Sequence, residues 1–146
     1  GQGDYVIIFE PTASTMAKEG KAHIVASLGK ESGEVPYTAY FTKKSTIEKN
    51  PELVQKFTRA VYKGQQWVDS HSPAEIAQTI KPSFPDESEE ILISAIKNYK
   101  DQNSWKKDPL LLENDFYLLQ QIIKDAGELE KIAPYDKVVT GQFVPK

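Results

Sequence analysis

No cysteine occurs anywhere in the sequence, which excludes disulfides, thiolate metal sites and cysteine nucleophiles. Histidine is nearly as scarce. His23 and His71 stand far apart with no ligand spacing around either, so no metal site is expected and both read as structural or exposed. Long apolar runs are missing too: none reaches the length of a transmembrane helix, and no signal-peptide or lipidation motif is present. Nor is there a basic excess. Lys and Arg number 18 against 21 Asp and Glu, a formal net charge of -3, which leaves no electrostatic footprint for nucleic acid. A Gly-rich phosphate loop, a Ser/His/Asp set and a meaningfully spaced carboxylate pair are likewise lacking, so the chain does not read as an enzyme and no cofactor is expected.

What is present suits one globular domain. The 146 residues are 39% hydrophobic and 27% charged, enough to build a core and too apolar for disorder. The most informative stretch is Tyr5-Val6-Ile7-Ile8-Phe9-Glu10-Pro11, where an apolar run of strand length ends in an aromatic, a carboxylate and a proline. Ligands of open α/β sheets collect at the carboxyl ends of strands, which makes Glu10 a candidate binding group. The alternative is a surface glutamate in a strand–helix turn; in either role an exposed Glu at a strand end is expected to contribute little to folding.

Along the chain, residues 4–9, 23–28 and 37–42 read as strands, with a polar turn between Gly29 and Glu34. Residues 11–19 read as a short helix stopped by Gly20 in the left-handed cap position. From Asn50-Pro51 onward the pattern turns helical. Leu53, Val54, Phe57, Val61 and Val68 form one stripe, and Ser72-Pro73-Ala74-Glu75 is a capping box ahead of Ile76, Ala77 and Ile80. Pro82 and Pro85 interrupt the chain. Ile91, Leu92, Ala95, Ile96 and Tyr99 mark another face, and Phe116, Leu119, Ile122, Ile123 and Ala126 a last one before Gly127. The tail from Pro134 to Pro145 reads as irregular. Three strands cannot cover four amphipathic helices, so the chain is expected to belong to a longer protein or to pair with a partner, and in isolation to self-associate. It opens on Gly1 rather than Met, and any address segment would lie ahead of it.

The order of several short stretches resembles the C-terminal half of ABC-importer solute-binding proteins of the NMT1/THI5-like group, which covers thiamine-precursor pyrimidine binders and is related to those for alkanesulfonates and taurine. These stretches are Gly3-Asp4-Tyr5 through Phe9-Glu10-Pro11, Pro36-Tyr37, Asn50-Pro51-Glu52-Leu53-Val54, Ile96-Lys97-Asn98-Tyr99 with Trp105, Ala126-Gly127-Glu128-Leu129, and Pro134-Tyr135-Asp136-Lys137-Val138-Val139 before Phe143. The family's aromatic before Glu-Pro is often Trp; here it is Phe9, which keeps a stacking face and loses an indole donor.

The resemblance implies an α/β fold of the type II periplasmic-binding-protein kind, here a partial chain with three strands followed by a helix-rich C-terminal region. Residues 1–36 would belong to the second lobe, 37–42 would be a hinge-crossing strand, and 43–146 would pack on a first lobe lying upstream. The implied function is extracytoplasmic capture of a small nitrogenous or pyrimidine-like solute in the interlobe cleft, without catalysis, and its delivery to a membrane permease. Glu10 would be the main polar contact, with Phe9, Tyr37 and Trp105 as aromatic contacts, and the protein would be periplasmic or lipid-anchored. Two other readings stay open: a pyrimidine-synthase-type enzyme of the same family name, whose cysteine-rich motif this chain lacks, and an interaction domain that binds no small molecule.

Overall fold

Proline and serine chemistry sets the helix starts, and glycine sets two of the stops. The computed structural model describes residues 3–145. Helix α1 (Thr12–Lys18) begins just after Pro11, and Gly20 ends it with a φ of 68°, a conformation a Cβ would strain. A single turn, α2 (Leu28–Glu31), follows, then α3 (Lys44–Lys49) and the long α4 (Pro51–Ser70). Helix α5 (Pro73–Ile80) carries the expected capping box: the Ser72 hydroxyl accepts from the Glu75 backbone N–H, and the Glu75 carboxylate accepts from the Ser72 N–H at 2.9 Å. Its end tightens into a 3-10 turn, Lys81–Ser83, at Pro82. Helix α6 (Glu89–Asp101) is capped by the Ser88 hydroxyl, which accepts from the Ile91 N–H at 3.2 Å. Helix α7 (Glu113–Asp125) stops before Gly127 at a φ of 79°, and one further turn, α8 (Tyr135–Val138), interrupts the tail.

No strand forms among the described residues, which overturns the α/β reading and its three strands at 4–9, 23–28 and 37–42. Leu28 opens α2 instead, and the other positions are irregular. The reason is physical. Strand-like composition measures how side chains fit a pleated surface, whereas a strand exists only by hydrogen bonding to a neighbour. Here no neighbouring ladder forms, and Tyr5, Val6, Ile7, Val25, Tyr40 and Phe41 remain exposed.

The chain divides into two compact units. One comprises the stretch ending at Lys30 together with Ser70–Trp105. Its core is the α5–α6 pair, where Ile76, Ala77, Ile91, Leu92, Ala95 and Ile96 are all buried. Each large aliphatic there contributes about 1.5–3 kcal/mol by leaving water. Helix α1 packs on α6, the Ser27 hydroxyl donates to Gln102 Oε1 at 2.8 Å, and Lys100 Nζ donates to the His71 carbonyl at 2.7 Å.

The other unit comprises Glu31–Asp69 and Lys106–Lys146. Polar bonds do much of its organising. Gln65 and Gln66 on α4 donate to the carbonyls of Asp108 and Lys107, and Gln55 donates to that of Phe143 at 3.0 Å. Buried Gln120 pairs twice with Ala133, accepting from its N–H at 2.7 Å and donating to its carbonyl at 3.2 Å. Buried Asp115 lies 3.5 Å from Lys106 Nζ. The Lys106 ammonium is also hydrogen-bonded to Glu34, and that bond, with the nearby carboxylate charges, holds its pKa above the usual lysine value. Phe116 meets Tyr135 edge-on at 5.7 Å, and Tyr40 meets Phe57 at 5.0 Å. The stripe expected around Leu53 and Phe57 stays largely open to solvent.

The capping box gives a directional test. Ser72→Ala removes the acceptor for the Glu75 N–H and should destabilise by about 1 kcal/mol in denaturant unfolding. The side-chain and backbone hydrogen bonds from Ser72 hold the Glu75 carboxyl below its ordinary pKa. A depressed folded pKa gives stability that is full above the unfolded value, about 4.3 for Glu, and is lost as pH falls through the folded one. The stability gap between wild type and Glu75→Gln should therefore be widest near neutral pH and shrink on acidification.

Candidate functional site

Glu10 stands immediately before α1, joined to Pro11 by a cis peptide bond, and is partly buried. Its position brings one carboxylate oxygen over the first turn of the helix, where backbone N–H groups have no intrahelical acceptor. Oε2 accepts from the Ser14 N–H at 3.0 Å. The other oxygen, Oε1, accepts from Asn98 Nδ2 on α6 at 2.6 Å. The carboxylate is thus held from two elements that are remote in sequence.

Ser14 is buried beneath this contact. Its hydroxyl donates to Ser94 Oγ at 3.4 Å and accepts from Asn98 Nδ2 at 3.4 Å, both long and weak bonds. Ser94 and Asn98 are one helical turn apart on α6, so they present polar groups to α1 in register. Neighbouring Ile91, Leu92, Ala95 and Ile96 meanwhile bury themselves in the core. Ser14, Ser94 and Asn98 also line an open depression of about 300 Å³ together with Ile24 and Ile91. Lys18 and Glu90, also on its wall, form an ion pair between α1 and α6. Both partners are well exposed, so the pair adds little stability.

An ionised carboxylate has about four acceptor positions. Two are taken here by Ser14 and Asn98, one on each oxygen. The remaining lone pairs can accept from an ammonium group or from the amino edge of a heterocycle, in charge-assisted bonds stronger than neutral ones.

The aromatic candidates fare differently. Phe9 precedes Glu10 directly and is 62% exposed. Trp105 is 39% exposed and lies tilted against Tyr99, with ring centroids 5.4 Å apart, just after Asn98 on α6. Tyr37 is 81% exposed and belongs to the second unit, whereas Glu10, Phe9 and Trp105 belong to the first. The residues that the structure does gather around Glu10 are Ser14, Ser94 and Asn98, none of them expected as a site residue from the sequence, although Asn98 stands in the Ile96–Tyr99 stretch. The available signal was a pair of polar side chains at helical spacing beside the apolar face of α6. Among the described residues, no three His, Asp or Glu side chains gather closely enough to hold a metal ion, and no helix is long and apolar enough to cross a membrane.

The family model described as NMT1/THI5 like matches residues 1–75 of the 146. The chain belongs to the NMT1/THI5-like family. A protein of Bacillus subtilis (strain 168) named "Putative binding protein YtlA" is 47% identical to it over 146 residues, which is 100% of this chain and 44% of that protein. The chain therefore spans less than half the length of this relative. No solved structure matches it. Within the family match lie Glu10 and Ser14; Ser94 and Asn98 fall beyond its end, inside the stretch shared with the Bacillus protein.

The expectation of an exposed Glu at a strand end is corrected: no strand precedes Glu10, and its partly buried carboxylate has two partners. Glu10→Ala would strand the Ser14 N–H and the Asn98 amide in a partly buried place, at a cost of about 1–3 kcal/mol. Glu10→Gln keeps one acceptor oxygen and should cost less. Denaturant unfolding of the two variants beside wild type checks that order.

Proposed function

We propose that this chain is part of the extracytoplasmic solute-binding component of an ABC importer, which captures a small nitrogenous or pyrimidine-like solute in an interlobe cleft and hands it to a membrane permease. The observation that carries this reading is membership of the NMT1/THI5-like family, joined to near-half identity along the whole chain with a protein named as a binding protein. The geometry adds a fixed, partly buried carboxylate with unused acceptor positions. Glu10 is the polar contact in this reading, and Phe9, Tyr37 and Trp105 offer rings for stacking, each worth about 0.5–1.5 kcal/mol beyond burial. The protein would act in the periplasm or lipid-anchored on the outer face of the membrane, as a binder that closes around its solute and performs no chemistry on it.

Calorimetric titration of the protein with cytosine, which carries an aminopyrimidine edge, and with taurine, which carries an ammonium and a sulfonate, tests the reading. Saturable binding of one of them is expected, with Glu10→Gln weakening it by about 1.5–3 kcal/mol, the range for a hydrogen bond to a charged group. An absence of binding to both, in a protein that melts cooperatively, would count against a nitrogenous solute.

A further inference from the structure

The Glu10 carboxylate is constrained from two sides. One of its oxygens is tied to the backbone of the helix that follows it, α1, through the Ser14 N–H. That bond alone lets the carboxylate pivot about it. The second bond comes from Asn98, 2.6 Å away on a different helix, and removes the pivot. Asn98 is itself well placed to stay still: α6 is anchored by the buried Leu92, Ala95 and Ile96, and the amide also lies 3.4 Å from the Ser14 hydroxyl. On the same two helices, Lys18 and Glu90 pair with each other and Lys97 pairs with Asp101.

We infer that Asn98 is a positioning residue for solute recognition: its amide locks the Glu10 carboxylate into one rotamer, so that the unused lone pairs meet the solute in a fixed direction. This rests on the proposed role of Glu10 as a polar contact and deepens it. Recognition by a pre-ordered acceptor avoids the entropy of freezing a three-torsion side chain at the moment of binding. A second consequence concerns chemistry. Because Asn98 donates and carries no charge, it orients the carboxylate while leaving its negative charge uncompensated, which suits a cationic or amino-bearing solute. A lysine at the same place would hold the carboxylate equally well and neutralise it.

Two measurements test the inference, the first without ligand. In wild type, the three-bond NMR couplings of the Glu10 side chain should report one dominant χ1 rotamer, and in Asn98→Ala they should average toward free rotation. Couplings that are already averaged in wild type, or unchanged in Asn98→Ala, overturn it. The second is a binding cycle with cytosine and taurine. Asn98→Ala should weaken the bound probe about tenfold or more, and in a Glu10→Gln background it should cause no further loss. A purely structural role would instead give additive losses. Full affinity in Asn98→Ala, with weak binding in Glu10→Gln, sinks the inference and leaves the proposed function standing. Full affinity in Glu10→Gln removes Glu10 as a contact, and the inference with it. If neither probe binds wild type, the proposed solute class fails and the couplings alone decide the role of Asn98. Thermal melts accompany each variant, and Asn98→Ser, too short to reach Glu10, replaces Asn98→Ala if the latter does not fold.

Discussion

The packing of α5 against α6 is the contact on which the site depends, because α6 has two tasks and can perform the second only once the first is done. Ile91, Leu92, Ala95 and Ile96 lock the helix against Ile76 and Ala77, which fixes both its rotation and its height. Only then do Ser94 and Asn98 arrive opposite α1 at a height where they can bond Ser14 and Glu10. Interiors are packed closely enough that a rotation of α6 would be resisted by every buried aliphatic on it. The precision of a single hydrogen bond at Glu10 is therefore inherited from an apolar interface several side chains away.

The second unit is organised in a different way. Its buried residues include Asp115 and Gln120, and its cohesion comes from side-chain amides bonding the backbone: Gln55 to Phe143, Gln65 to Asp108, Gln66 to Lys107 and Gln120 to Ala133. Such bonds fix irregular chain where no regular partner exists, since buried backbone groups must be paired with something. The two hydrogen bonds between the Gln120 amide and Ala133 copy the exchange made by two facing residues of an antiparallel pair, and they hold the stretch between Gly127 and Pro134 to α7.

Local chemistry made the helices legible in the sequence and left their surroundings hidden. The Ser72–Glu75 box, the glycine stops at Gly20 and Gly127 and the buried face of α6 are each decided within a few residues, and each forms as the sequence suggests. The strands did not form, because pairing is a property of two segments and composition reports on one. The stripe at Leu53 and Phe57 shows the same limit: periodicity marks a face able to be buried and says nothing about what covers it. Glu10 was visible because it closes a distinctive run. Its partners Ser14 and Asn98 were not, because they look like ordinary polar positions of surface helices until α1 and α6 are laid side by side.

The segments around Tyr5–Phe9 and Tyr37–Phe41 combine exposed aromatic and branched side chains with backbone that no ladder protects. Amide hydrogens outside regular secondary structure are opened by small local fluctuations, whereas those of α5 and α6 exchange only when their shared core opens. The chain thus joins irregular backbone before Glu10 to a helix, α6, anchored in a buried core. Glu10 sits where the two meet, so the exchange rate of the Ser14 amide, which the carboxylate itself shields, is a direct gauge of how often that junction comes apart.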